Sequence, residues 1–151
     1  MSDAFRLQQL LDLRRRAEEE KAISLATAEA EHQHLQFALQ MLLSQEAAQL
    51  ASMASAGSTG SLDPVNVEAT RLYLEHLEGS IQRQHEQMAE VSVRVNAQRA
   101  ELIEATREKR LLERLEERHD ETVATEASRL ENAQTDEIAA QRHRRLHGMG
   151  S

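Results

Sequence analysis

The sequence predicts an all-α protein: two long helices folded back on each other as an antiparallel coiled-coil hairpin, the second longer than the first. Three observations carry this. The aromatic residues are Phe5, Phe37 and Tyr73 alone, so the aromatic bulk on which compact globular cores lean is missing. Helix breakers are confined: there is one proline, Pro64, and no glycine between Ala4 and Ala56. Apolar residues also recur at alternating steps of three and four, the spacing of a coiled-coil seam.

The first helix is read over residues 4–56. Its seam is Leu7, Leu11, Arg14, Ala17, Lys21, Leu25, Ala28, His32, Leu35, Leu39 and Leu42, polar between Arg14 and Lys21. A turn follows over residues 57–64, GSTGSLDP. Gly57 suits the left-handed position that ends a helix. Asp63 suits an N-cap and Pro64 the first helical position. Leu62 and Val67 occupy the two sites of a hydrophobic staple.

The second helix is read over residues 65–147, and the whole chain, 1–151, as one hairpin. From Leu74 its seam runs through Leu77, Ile81, Gln84, Met88, Val91, Val95, Gln98, Leu102, Ala105, Lys109 and Leu112. It continues through Glu116, His119, Val123, Glu126, Leu130, Ala133, Glu137 and Ala140, and thirteen of the twenty positions are apolar. At 1.5 Å per residue the helices measure about 80 Å and about 120 Å. The second therefore overshoots the first by about 40 Å, from near Arg118 onward. That is where its seam is poorest, with Glu116, His119, Glu126 and Glu137 all on seam positions, so the overshoot either stays solvated or waits for another protein.

Little in the chain suggests catalysis. There is no cysteine, which removes disulfides and thiol chemistry. The net charge of −8 disfavours nucleic acid. No stretch approaches the ~20 apolar residues of a membrane span, and the N-terminus does not read as a signal peptide. These features lead us to expect a soluble, cytoplasmic protein. His32 and His34 point to different sides of a helix; His143 and His147 are four apart but lack further ligands. No P-loop or nucleophile motif is present, and the acidic run Glu113, Glu116, Glu117, Asp120 and Glu121 has no cleft around it. No enzyme activity, cofactor or metal is expected. Arg14 to Arg16 precede Glu18 to Glu20, which predicts pairs such as Arg14 with Glu18 along one helix. That block serves either solubility or a charged partner. Arg142, Arg144 and Arg145 complement the helix dipole.

At both ends the sequence resembles the FliJ family of flagellar type III export proteins. The opening run is Phe5-Arg6-Leu7-Gln8-Gln9-Leu10-Leu11-Asp12-Leu13-Arg14, followed by Glu18 to Lys21. The closing motif is Asp136-Glu137-Ile138-Ala139, with Arg142 shortly after. Between them lies Tyr73-x3-Leu77-Glu78-x2-Ile81. The resemblance implies a cytoplasmic, non-enzymatic coiled-coil stalk held at the cytoplasmic face of the inner membrane by the export apparatus. Its implied partners are the hexameric export ATPase, the cytoplasmic domain of the export gate, and export chaperones. It implies an ATPase-facing set of Leu7, Leu10, Leu11, Arg14, Asp136, Glu137, Ile138 and Arg142. It also implies a gate-facing stripe of Tyr73, Leu77, Ser80 and Gln84, of which Tyr73 and Leu77 match the family pattern. Two other readings stay open: the equivalent stalk of a virulence-type injectisome, and a structural coiled-coil scaffold.

Overall fold

A computed structural model describes residues 3–148. It contains two α-helices, α1 (Asp3–Thr59) and α2 (Pro64–Gly148), and no strand among the described residues. They pack as an antiparallel hairpin with α2 the longer, 85 residues against 57. The chain divides into two compact units, one of Glu18–Glu104 and one of Met1–Ala17 with Ala105–Ser151.

The Glu18–Glu104 unit contains the turn. α1 runs on past Gly57 to Thr59, and the left-handed residue is Gly60, with φ 71°. The backbone bonds explain the shift. The Gly60 N–H donates to the Gly57 carbonyl and the Ser61 N–H donates to the Ala56 carbonyl, the paired closure of a Schellman end. Two glycines three residues apart both fit the sequence pattern, and only the second takes the positive φ. α2 then starts as read: the Val65 N–H donates to the Asp63 carboxylate at 3.1 Å, with Pro64 in the first turn. Leu62 and Val67 line one hollow beneath the turn with Met53 and Ala56.

The core of this unit is a narrow seam. Ala28, Val91 and Val95 form its buried cluster, with Leu25 and Leu35 packed against it. Leu39 and Leu77 are buried as well. Every α2 seam position from Leu74 to Leu102 is buried or half-buried. Two of these are glutamines. The Gln84 amide donates to the Leu35 carbonyl at 2.8 Å. Gln98 carries a buried Oε1 with no hydrogen-bond partner among the described residues, an arrangement that costs stability. One flank of the unit carries the Arg94–Glu31 ion pair and Arg99–Glu29 lies on the other. Lys21, polar on the seam, reaches Glu101 at 3.0 Å.

In the other unit the first residues of α1 pack against α2 beyond Ala105. Leu11 is fully buried and Ala105 nearly so. Arg14 binds Glu108 across the two helices at 2.5 Å. The α2 seam stays covered through Lys109, Leu112, Glu116 and His119. From Asp120 to Gly148 every described residue is exposed. The seam phase continues into this stretch through Val123 and Leu130, each more than half exposed, without a second helix to cover it.

Candidate partner-binding surfaces

The residues implied by resemblance fall into two classes. Of the N-terminal set, Leu11 is 0% exposed and belongs to the core, and Leu7 is half-buried. Leu10 is 49% exposed, and Arg14 is committed to Glu108 with its side chain half in solvent. Leu10 is therefore the member of this set whose apolar surface is open to a partner.

The C-terminal set is different. Asp136, Glu137, Ile138 and Arg142 are all exposed. Ile138 and Arg142 share a shallow surface hollow with Ala139, His143 and Leu146. This hollow lies along one face of a single helix, at spacings of three and four. The N-terminal and C-terminal sets are not brought together. The Arg14–Glu108 pair puts Leu7, one heptad back, level with about Leu115. Asp136 then stands about 30 Å further along α2.

The gate-facing stripe belongs to the Glu18–Glu104 unit. Tyr73 is 39% exposed, but Leu77 is 3% exposed and packs in the hairpin seam. Gln84 is half-buried and held by the Leu35 carbonyl. The Ser80 hydroxyl accepts a hydrogen bond from Arg83 at 3.2 Å. A step of four from Tyr73 lands on the seam side, so this stripe offers Tyr73 with Ser80 at its edge. Nearby, Arg71 bonds both Glu68 and Glu75, and its guanidinium holds the Glu68 carboxyl below the usual carboxylate range, mainly through their hydrogen bond.

His143 and His147 bring their rings to 4.1 Å, as their spacing requires. Among the described residues no group of three or more His, Cys, Asp or Glu side chains is placed to hold a metal ion. No helix among them is long and apolar enough to cross a membrane. Sequence reading missed one feature: Leu13, Leu111 and Leu115 are all about half exposed. They lie off the seam, where a search for alternating threes and fours does not look.

Comparison with known proteins decides the family. The flagellar FliJ protein family matches residues 2–147. The chain belongs to the FliJ family. This match spans both helices, including the opening run and the Asp136–Arg142 motif, and it supports a role connected with flagellar protein export. No curated protein and no solved structure matches the chain.

Proposed function

We propose that this FliJ-family chain is a non-enzymatic coiled-coil stalk of the flagellar export apparatus. In this reading the exposed end of α2 engages the ring of the hexameric export ATPase through Asp136, Glu137, Ile138 and Arg142. Leu10 adds a second contact, with Leu7, Leu11 and Arg14 holding its helix in place. Tyr73, with Ser80 beside it, meets the cytoplasmic domain of the export gate, while Leu77 and Gln84 support that surface from the seam. Export chaperones are escorted by the same protein. The chain stays in the cytoplasm and reaches the inner membrane only through the apparatus.

The observation that carries the reading is the stretch from Asp120 to Gly148. It keeps helical form and seam phase with every described residue exposed. An isolated helix of such length, with a seam this polar, gains little stability from its own burial. A binding partner supplies a reason for it.

The test replaces Asp136, Glu137, Ile138 and Arg142 by alanine and measures turnover of the purified export ATPase with the added protein. We expect full-length protein to stimulate turnover and the variant to lose that effect while keeping its helicity. Stimulation by the variant equal to wild type would move the contact to the first helix around Leu10. No stimulation by either protein would favour a structural scaffold.

A further inference from the structure

We propose that the side of α1 turned away from α2, between Ile23 and Ser55, is a self-association face, on which α1 of a second copy of this chain packs antiparallel about a two-fold axis. The whole face lies in the Glu18–Glu104 unit, and the inference does not rest on the stalk reading. From Ile23, alternating steps of four and three run to Ser55 and trace a second coiled-coil line, nearly half a turn around the helix from the hairpin seam. Every residue on that line is exposed. Its bulky apolar members are Ile23, Phe37 and Met41, at 67%, 63% and 50% exposed.

Solvation does not account for this side of α1. Between Ala22 and Leu62 the chain has three charged side chains, Glu29, Glu31 and Glu46. Glu29 and Glu31 reach across to Arg99 and Arg94, and Glu46 is half-buried along the seam. None is left on the outward side. The outward side of α2 in the same unit differs, with Arg83, Glu86, Glu90 and Glu104 exposed on it. A helix that faces water carries charged and polar residues there, and one without charge on either side is usually covered on both. In the hairpin α1 is covered on one.

The order of residues along the line selects a second copy as the occupant. An antiparallel pair closed about a two-fold axis level with Leu39 sets Phe37 of each copy against Met41 of the other, an aromatic–thioether contact. The next layers outward are His34 against Ser44 and Ala30 against Ala48, and at each end Ile23 meets Ser55. Small residues on either side of the central layer let the two helices approach closely. The chain carries a net charge of −8, so two copies repel in general, yet this line brings no like charges together. Nor does it hold a charge that would steer a partner of unlike sign. The face is about 48 Å long. Two copies closed on it bury on the order of 1,200–1,400 Å², at the lower end of the range for a stable, specific interface. The result is a four-helix arrangement with the two α1 helices inside.

Sedimentation equilibrium of the full chain from about 1 μM to about 300 μM tests this. The expected result is a weight-average mass rising from 17.1 kDa toward twice that value. Phe37→Glu with Met41→Glu should weaken association by at least about tenfold, with helicity by circular dichroism unchanged because both side chains are exposed. Cross-linking reads the register separately. The chain has no cysteine, so under oxidation a copy carrying Ala30→Cys should form a disulfide-linked dimer with a copy carrying Ala48→Cys. Ala30→Cys alone should not link to itself, because its two copies stand about 27 Å apart along the axis. Monomer throughout the range overturns the proposal and leaves the face to a helix of some other protein. Association that ignores the Phe37 and Met41 substitutions places the contact elsewhere, and linkage by Ala30→Cys alone makes the helices parallel; either result overturns it.

Discussion

Leu77 and Tyr73 lie one helical turn apart, and the structure assigns them opposite roles. Leu77 is 3% exposed in the seam, while Tyr73 is 39% exposed. Truncating Leu77 to alanine removes most of a buried side chain and leaves a gap in the seam. Buried Leu→Ala changes cost about 2–5 kcal/mol, depending on how well the site collapses. A two-helix seam has solvent on both sides and closes easily, so we place Leu77→Ala near the lower end, at about 2–3 kcal/mol. For a chain of this length each kcal/mol moves Tm by about 2–4 °C, which gives a drop of roughly 5–10 °C. Tyr73→Ala should cost under about 1 kcal/mol, because it forfeits only flank packing. Thermal melts of the two variants, followed by circular dichroism at 222 nm, read the difference directly. If the two lose equal stability, or Tyr73→Ala loses more, the placement of Leu77 in the core and Tyr73 on the surface is wrong. The pair also sorts a titration against the cytoplasmic domain of the export gate: on the proposed reading, loss of affinity in Tyr73→Ala reports a contact, whereas loss in Leu77→Ala is confounded by unfolding.

Three further outcomes are expected. Gly79→Ala should raise stability by about 0.5–1 kcal/mol, because an added Cβ meets only the flexible end of Arg83 at 3.4 Å; a fall in Tm would show that the glycine is needed there. Gln98→Leu should stabilise by about 1 kcal/mol or more, since it removes the buried Oε1 that has no partner; urea denaturation measures this, and a destabilised variant would place a bonded partner on that oxygen. Arg71 lowers the Glu68 pKa, so the pair's contribution is present above the unfolded carboxylate value and is lost as pH falls through the lower folded one. An NMR titration should find Glu68 below 4.5 and returned toward it in Arg71→Ala; an unshifted Glu68 in the wild-type chain contradicts the pairing.

How much of this was legible in the sequence follows from period. The seam is a strict alternation of threes and fours, and burial in α2 follows it from Leu74 to His119, then stops where the length of α1 predicts. The cap at Asp63 was legible because its chemistry is local. Gly57 and Gly60 were not separable, since both can end a helix and the choice rests on which carbonyls the last amides reach. Partner residues were only half legible. A resemblance marks positions without their burial, so Leu11 and Leu77 came marked as contacts although each is a seam residue. Leu13, Leu111 and Leu115 escaped for the converse reason: off-seam leucines have no period to announce them, and only the pairing of the two helices shows that they share a flank with Leu10.

Residue-resolved hydrogen exchange along α2, with and without the hexameric export ATPase, tests the central claim most directly. In the free protein, amides up to His119 should be protected by the paired seam, and those from Asp120 to Gly148 should exchange as an uncovered helix does, faster by at least about tenfold. With the ATPase present, protection should spread into the stretch around Asp136 to Arg142. Uniform protection of α2 in the free protein would mean that its end is already packed. An unchanged profile on adding the ATPase would mean that the exposed end of this FliJ-family chain is not where that partner binds.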